Sequence, residues 1–527
     1  MTSAFVLGGC SRSGLNEATM APITLAKRLE PPLLRTKIDA QQTLWEAILP
    51  PEFLSLPPGL SEVDQLLDDP VFFEPFVPFF HPEIGRPSIP METYLRMMFL
   101  RFRYRLGFET LCAEITDSLA WRRFCRVGIT DAVPHPTTLM KITTRCGAQA
   151  VDQLNVALLK KAGAAHLVKL DKLRADTTVV PANVAYPSDA GLLAKGVARL
   201  AKTVRLMKAM GLARRTTFRN RTRSVRRRSH AIGAWIRRRT DDAKDEVLAL
   251  TAELVRIAEV SLEDAQVVAI NARRSLRRMG THASGKARAL VAELERTVEV
   301  LQRIVDQTHM RLDGTMPPGS TRIVSLHDTD ARPIAKGRIG RPVEFGYKAQ
   351  LVDNADGIVL DHGVVIGNPP DAPMLAPAIG RVKLLFGRTP RAVTADRGYS
   401  GATVETELES MGVKHVAIPR KGRPNAERRQ HESSRRFRTL VKWRTGSEGR
   451  VAHLKRSWGW ERTVLDGIDG ASTWCGWGVL AHNATKIAAL TEQRETKNTS
   501  TDPSPTQQPT VTGSPGRHPP PSTSCAA

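Results

Sequence analysis

Leu173-Arg174-Ala175-Asp176-Thr177-Thr178-Val179-Val180 sets an acidic side chain inside a β-prone run. Apolar and β-branched residues flank Asp176, as in a half-buried strand. Ala392-Val393-Thr394-Ala395-Asp396-Arg397-Gly398-Tyr399 repeats the arrangement, with Asp396 at the end of a short apolar strand. Arg444-Thr445-Gly446-Ser447-Glu448 puts a third acid, Glu448, in a basic segment that can be helical. One Asp beside a strand end is most often a turn former or a cap. Three together read differently, because buried carboxylates repel one another unless cations sit between them. Two strand carboxylates and one helix carboxylate are what two Mg²⁺ ions need to be held against a phosphodiester, with water and phosphate completing the coordination. Mn²⁺ is expected to substitute.

The bulk composition agrees with a phosphodiester substrate. The chain has 527 residues and a net charge of +24, from 77 Lys and Arg against 53 Asp and Glu. Such an excess favours a polyanion, nucleic acid first, because each neutralised phosphate releases a counterion. Ribosomal or membrane-surface binding is the bland alternative. The six cysteines (Cys10, Cys112, Cys125, Cys146, Cys475 and Cys525) form no CxxC pair and read as reduced thiols of a cytosolic protein. No apolar run reaches the roughly 18 residues of a membrane span. Leu7-Gly8-Gly9-Cys10 faintly suggests a lipoprotein cleavage site, but no basic residue precedes it and the apolar stretch is short.

The chain divides by pattern. Residues 1–60 read as a partly disordered leader, with some helical pattern near Asp39–Ile48. Residues 61–165 read as a helical DNA-binding domain, where Tyr94, Met97, Met98, Phe102 and Leu106 line one face. A helix is expected after Pro134 and Pro136, capped by Thr137 or Thr138. Residues 166–190 carry the first core strand, and 191–318 form a basic helical insert. Between Asp189 and Asp241 no acid occurs, while Arg219, Arg221, Arg223, Arg226, Arg227 and Arg228 crowd together. A one-sign block of this length reads as a phosphate-binding surface, against the plainer reading of a solvated helix face. Two long amphipathic stretches, 242–278 and 286–312, read as a helical hairpin. Strand character returns in 319–495, and 496–527 is a Ser/Thr/Pro-rich tail expected to be disordered.

Without the insert the order is β-β-β-α-β-α-β-α, which resembles an RNase H-like core, an α/β fold in which the first and fourth strands lie side by side. Glu448 is favoured over Glu427, Glu432 and Glu461 because Arg444 and Lys455 fall near its helical face and can grip flanking phosphates; Gly446 and Gly449 argue for a helix start close to Glu448, which puts Arg444 on the entering loop. Arg444-x3-Glu448-x6-Lys455 resembles the Tyr-x2-Arg-x3-Glu-x6-Lys signature of bacterial insertion-sequence DDE transposases. Ala175-Asp176-Thr177-Thr178 and Ala395-Asp396-Arg397-Gly398-Tyr399 are similar to their first and second acid motifs. Arg86–Ile142 looks like their N-terminal domain. The signature Tyr would fall at Val441, so its role is lost or passes to a neighbour such as Trp443.

The resemblance implies a mixed-sheet RNase H-like catalytic core with a helical N-terminal domain and a basic all-helical insert after the first core strand. It implies Mg²⁺-dependent cleavage at element ends, strand transfer into target DNA by a free 3′-OH, and a homo-oligomer on paired ends. The expected location is the prokaryotic cytoplasm, at the nucleoid. Two alternatives stay open: an RNase H-like nuclease or resolvase that does not join ends, and a silent DNA-binding descendant. His327, Asp328 and Asp330 form a rival acidic cluster at a loop edging the active site, and Trp458 or Trp460 offers a ring to stack on bases.

Overall fold

The computed structural model describes residues 32–37, 48–50, 52, 55–238, 240–336 and 342–499. Most of the leader and tail, together with Cys10, Cys525, Gly337 and Gly340, lie outside these residues. The other four cysteines are buried free thiols. Among the described residues no helix is long and apolar enough to cross a membrane.

The chain is mixed α/β, built on one six-stranded mixed sheet. Helices α1 (Ser61–Leu67), α2 (Met91–Arg103), α3 (Phe108–Asp117), α4 (Leu119–Phe124) and α5 (Pro136–Ala164) come first. Every residue of α2 from Met91 to Phe102 is buried. Its internal Arg96 is therefore paired, at 2.7 Å from Asp64 and 3.5 Å from Asp68, as a buried charge must be. Helix α5 is capped by His135, not by Thr137 or Thr138. Pro136 takes the first helical position, which needs no N–H, and the His135 Nδ1 accepts from the Thr137 N–H at 3.2 Å. The N-terminal helices share one apolar core with the sheet and the last helix. Trp458 and Trp460 belong to that core at 2% and 0% exposure, so neither ring is open to a base.

Strand β1 spans Leu173–Pro181, and the helical segment follows it: α6 (Asp189–Ala209), α7 (Thr222–Trp235), α8 (Asp241–Met279) and α9 (Gly285–Leu312). These four helices close around an apolar core of their own. Ser188, Thr240 and Ser284 cap α6, α8 and α9 through their side chains. Gly196 lets α6 and α9 approach, since a Cβ there would fall 2.5 Å from Leu301.

The sheet is completed by β2 (Arg332–Ala335), β3 (Val343–Asn354), β4 (Val359–Ile366), β5 (Ala392–Thr394) and β6 (His415–Ala417). Strand β1 lies between β3, antiparallel, and β5, parallel. Strand β6 continues parallel beyond β5, while β4 and β2 share the far edge of β3. Helix α10 (Ala372–Phe386) links β4 to β5, and α11 (Ala402–Ser410) links β5 to β6. Then follow α12 (Ala426–Ser433), α13 (Arg435–Arg444), α14 (Gly446–Ser457) and α15 (Gly467–Thr499).

The pairing of β1 with β3 is tight at one end. A Cβ on Gly346 would lie 2.3 Å from the Val180 carbonyl oxygen and 2.7 Å from the Ala182 nitrogen, both backbone atoms with little room to move. Gly346→Ala is expected to cost about 3 kcal/mol in urea unfolding. Gly233→Ala, in α7 with nothing within 4 Å, is expected to hold or gain up to about 1 kcal/mol. A Gly346→Ala protein as stable as the parent would refute the close approach.

Candidate active site

The β1–β5 register pairs Leu173 with Val393 and Arg174 with Thr394. Asp176 and Asp396 each fall two residues beyond the last of these pairs, so they come level, Asp176 inside β1 and Asp396 just past the end of the parallel β5. Asp396 caps a short 3-10 turn, Arg397–Tyr399, and its Oδ1 accepts from the Gly398 N–H at 2.7 Å. Asp176 is half-buried. Its Oδ1 accepts from the Thr177 N–H at 2.8 Å and its Oδ2 from the Ser447 hydroxyl at 2.7 Å. Burial pushes the Asp176 carboxyl up from its usual range, and the charge of Asp396 adds to that push. The Ser447 and Thr177 hydrogen bonds and the Arg444 guanidinium pull the other way without overcoming it.

A further acid, Asp371, joins this pair without a motif to announce it. It sits just before α10, after Asn368-Pro369-Pro370. Its Oδ1 accepts from the Thr177 hydroxyl at 3.1 Å and pairs with the buried Lys348 ammonium at 2.5 Å. Its Oδ2 faces Asp396: the two carboxylates lie 2.6 Å and 2.8 Å from the point where a Gly398 side chain would begin. Only a glycine fits between them. Tyr399 is buried behind the site, where Gln350 donates to its hydroxyl at 3.2 Å; burial and the three acids hold its proton on firmly.

Glu448 arrives from the other direction. Gly446 begins α14, so a helix does start close to Glu448, and Arg444 ends the preceding helix α13 instead of lying on a loop. Ser447, not Glu448, is the buried residue that meets Asp176, and Glu448 is exposed beside it. The start of α14 is fixed by Arg174. Its Nε and Nη2 each donate to Asp353 at 2.8 Å, and its Nη1 donates to the Trp443 carbonyl at 3.1 Å. Arg450, from α14, reaches the same carboxylate at 3.3 Å. Any side chain on Gly446 would meet the Arg174 guanidinium at 2.5 Å. Val441, at the position of the resembled Tyr, packs into a small apolar cluster with Phe437 and Leu440, and Trp443 carries Lys172 and Arg174 over its ring.

The basic residues divide into two groups. Lys455 donates to the Val179 carbonyl at 2.6 Å and so ties α14 to β1. Arg221 pairs with Asp264 at 2.7 Å and Arg228 with Glu253 at 2.6 Å, both on α8. Arg219, Arg223, Arg226 and Arg227 project into solvent. The rival loop has a structural use. Asp328 is 1% exposed and accepts from the Tyr347 hydroxyl and, at 3.2 Å, from the Gly467 N–H. Asp330 accepts from the Ile468 N–H at 3.0 Å. Both acids serve the first turn of α15, where the helix dipole favours negative charge.

Asp176, Asp371 and Asp396 offer hard oxygen donors, and the raised Asp176 carboxyl shows a charge that a divalent cation would relieve. As the side chains stand, no three His, Cys, Asp or Glu among the described residues are gathered closely enough to hold an ion. The acids fit a metal in kind, with Glu448 outside the immediate group.

Two family models match the chain: residues 52–145 match a transposase domain (DUF772), and residues 301–484 match a transposase DDE domain. The second match includes Asp396 and Glu448 but begins after Asp176. A 152-residue stretch is 27% identical to an uncharacterised protein, ORF8 in the nfe locus of Rhizobium meliloti, spanning 28% of this chain and 72% of that protein. No solved structure matches.

A raised carboxyl means that the folded chain holds the Asp176 proton more tightly than the unfolded chain does. Stability is therefore full below the unfolded carboxyl range and falls as the pH rises through the folded value. Asp176→Asn is accordingly expected to melt higher than the parent in metal-free buffer at pH 7 and to lose the advantage near pH 3. An Asn variant that melts lower at pH 7 would contradict this.

Proposed function

Because the chain belongs to the DDE transposases of insertion sequences, enzymes that act on DNA and use divalent metal ions, we propose that it cuts DNA at the ends of its element and joins the freed ends to target DNA. The observation that carries this reading is the electrostatic coupling of Asp176 and Asp396 across neighbouring parallel strands. Strand order supports the finer fold. A central β1 flanked by antiparallel β3 and parallel β5, with β4 and β6 beyond them, agrees with the strand order of an RNase H-like core. This reading divides the chain into a helical DNA-binding domain, a split core and a basic insert.

In this reading Asp176, Asp396 and Glu448 would hold two Mg²⁺ ions. Held there, such ions would supply positive charge to a scissile phosphodiester and favour both attack and departure of oxygen. The chain's own residues set the stage. Ser447 and Thr177 keep the Asp176 carboxylate in one rotamer, and Lys348 holds Asp371 behind Asp396. Arg444, electrostatically coupled to Asp176, is suited to grip a flanking phosphate. Water first opens the bond at the element end and frees a 3′-OH. That 3′-OH then attacks target DNA in line, forming a new P–O bond as the target's own 3′ oxygen leaves. No covalent bond to the enzyme is needed. Lys455 serves mainly to anchor α14, and the exposed arginines of α7 serve the DNA backbone. The protein works as a homo-oligomer on paired ends, in the bacterial cytoplasm at the nucleoid.

Purified protein incubated with DNA carrying its element ends and Mg²⁺ is expected to give 3′-OH cuts at the ends and joined products. Loss of a metal ligand removes transition-state stabilisation, so Asp396→Asn is expected to lower both steps at least about a thousandfold. Joining at the parental rate by this variant would sink the site. Cutting without joining would make the protein a nuclease.

A further inference from the structure

We propose that the groove between α6, α7 and α9 of the helical segment binds the phosphate backbone of duplex DNA, with Lys202 and Arg205 on α6 acting together with Arg226 on α7. The proposal rests on the reading of the chain as a DNA-acting enzyme, but it concerns a surface that includes none of the acids described above.

The groove has a volume of about 970 Å³. Its floor is apolar, with Ala198, Ala201 and Phe218 among the lining residues, and Lys202, Arg205 and Arg226 line it as well. Lys202 and Arg205 stand three residues apart and exposed, so they share one face of α6. Arg226 comes from the neighbouring helix, so the cations approach the same space from two elements. Lys195, also exposed, extends the α6 row by two turns.

Nearby acids do not neutralise these cations, because each is already taken. Glu293 is bound by Arg199 and, at 2.9 Å, by Arg296. Asp264 is bound by Arg221 and Glu253 by Arg228. Among the described residues Lys202, Arg205 and Arg226 make no ion pair. Cations lining one groove repel each other, and a polyanion filling the space converts that repulsion into attraction with release of counterions. The groove favours a backbone over stacked bases. Phe218 is its one lining aromatic residue and is only partly exposed, whereas base stacking needs successive open rings.

The test uses the full chain and measures binding of a duplex oligonucleotide across a salt series. Each cation that neutralises a phosphate adds roughly 0.9 to the slope of log affinity against log salt, so removing three should lower that slope by about 2.7. This is the expectation for the triple variant Lys202→Ala, Arg205→Ala and Arg226→Ala. The control removes three exposed charges at the end of α8, Arg274→Ala, Arg277→Ala and Arg278→Ala, and is expected to keep the parental slope. The single variant Lys202→Gln, at an exposed position, should lower the slope by about 0.9 if the triple variant fails to fold. Equal reductions in groove and control variants would make the groove part of a general basic surface and overturn the proposal, as would an unchanged slope. Cleavage by Asp396→Asn is scored separately: if that variant keeps parental activity, the active-site reading fails while the binding result stands on its own.

Discussion

The buried pairing of Arg174 with Asp353 is the constraint around which the site is organised. It joins β1 to β3 across their antiparallel register, where the two residues face each other directly. The same guanidinium reaches the last turn of α13, and the same carboxylate receives Arg450 from α14. Two strands and the segment that carries Glu448 are thereby locked by one acid that is 0% exposed. Removing one partner of such a buried set typically costs roughly 3–5 kcal/mol, because the other charge is left without compensation. The cost here would extend beyond stability. The lock sets where α14 begins, and so decides that the Ser447 hydroxyl meets Asp176.

Against this background the electrostatics of the site are those of a place kept under tension. Three acids crowd the middle of β1, the C-terminal end of β5 and the start of α10, and of these only Asp371 has a buried cation of its own, Lys348. Asp176 is left with a hydroxyl, a backbone N–H and a more distant Arg444, which do not offset burial and the neighbouring charge. Strain of this sort is common at functional sites, where local stability is traded for chemistry.

Much of this was legible in the sequence, and the misses have identifiable causes. Apolar runs ending in an acid located Asp176 and Asp396, because a carboxylate inside β-branched sequence is unusual enough to stand out. The helical hairpin of α8 and α9 was readable from its periodicity, and its ends differ by a residue or so from the expected ones. Asp371 was invisible because it looks like any acid before a helix; only the register of β1 and the turn at Gly398 bring it to Asp396. The helix start near Glu448 was readable from Gly446 and Gly449, but Arg444 closes a helix of its own, and the Arg174 contact to the Trp443 carbonyl at that junction comes from a strand far away in sequence. Arg221 and Arg228 looked like their neighbours in a run of arginines. Only tertiary structure reveals that acids on α8 consume them.

The segregation of the apolar cores carries a consequence for how the molecule is made. The α6–α9 unit closes on residues near one another in the chain, so it can condense while synthesis continues. The sheet cannot do so. Strand β1 waits for β3 on the far side of that unit, and Tyr94 near the beginning packs edge-on against Trp477 in the final helix. A chain that stops before α15 leaves Tyr94 without Trp477 and the apolar core shared by the sheet and the N-terminal helices incomplete.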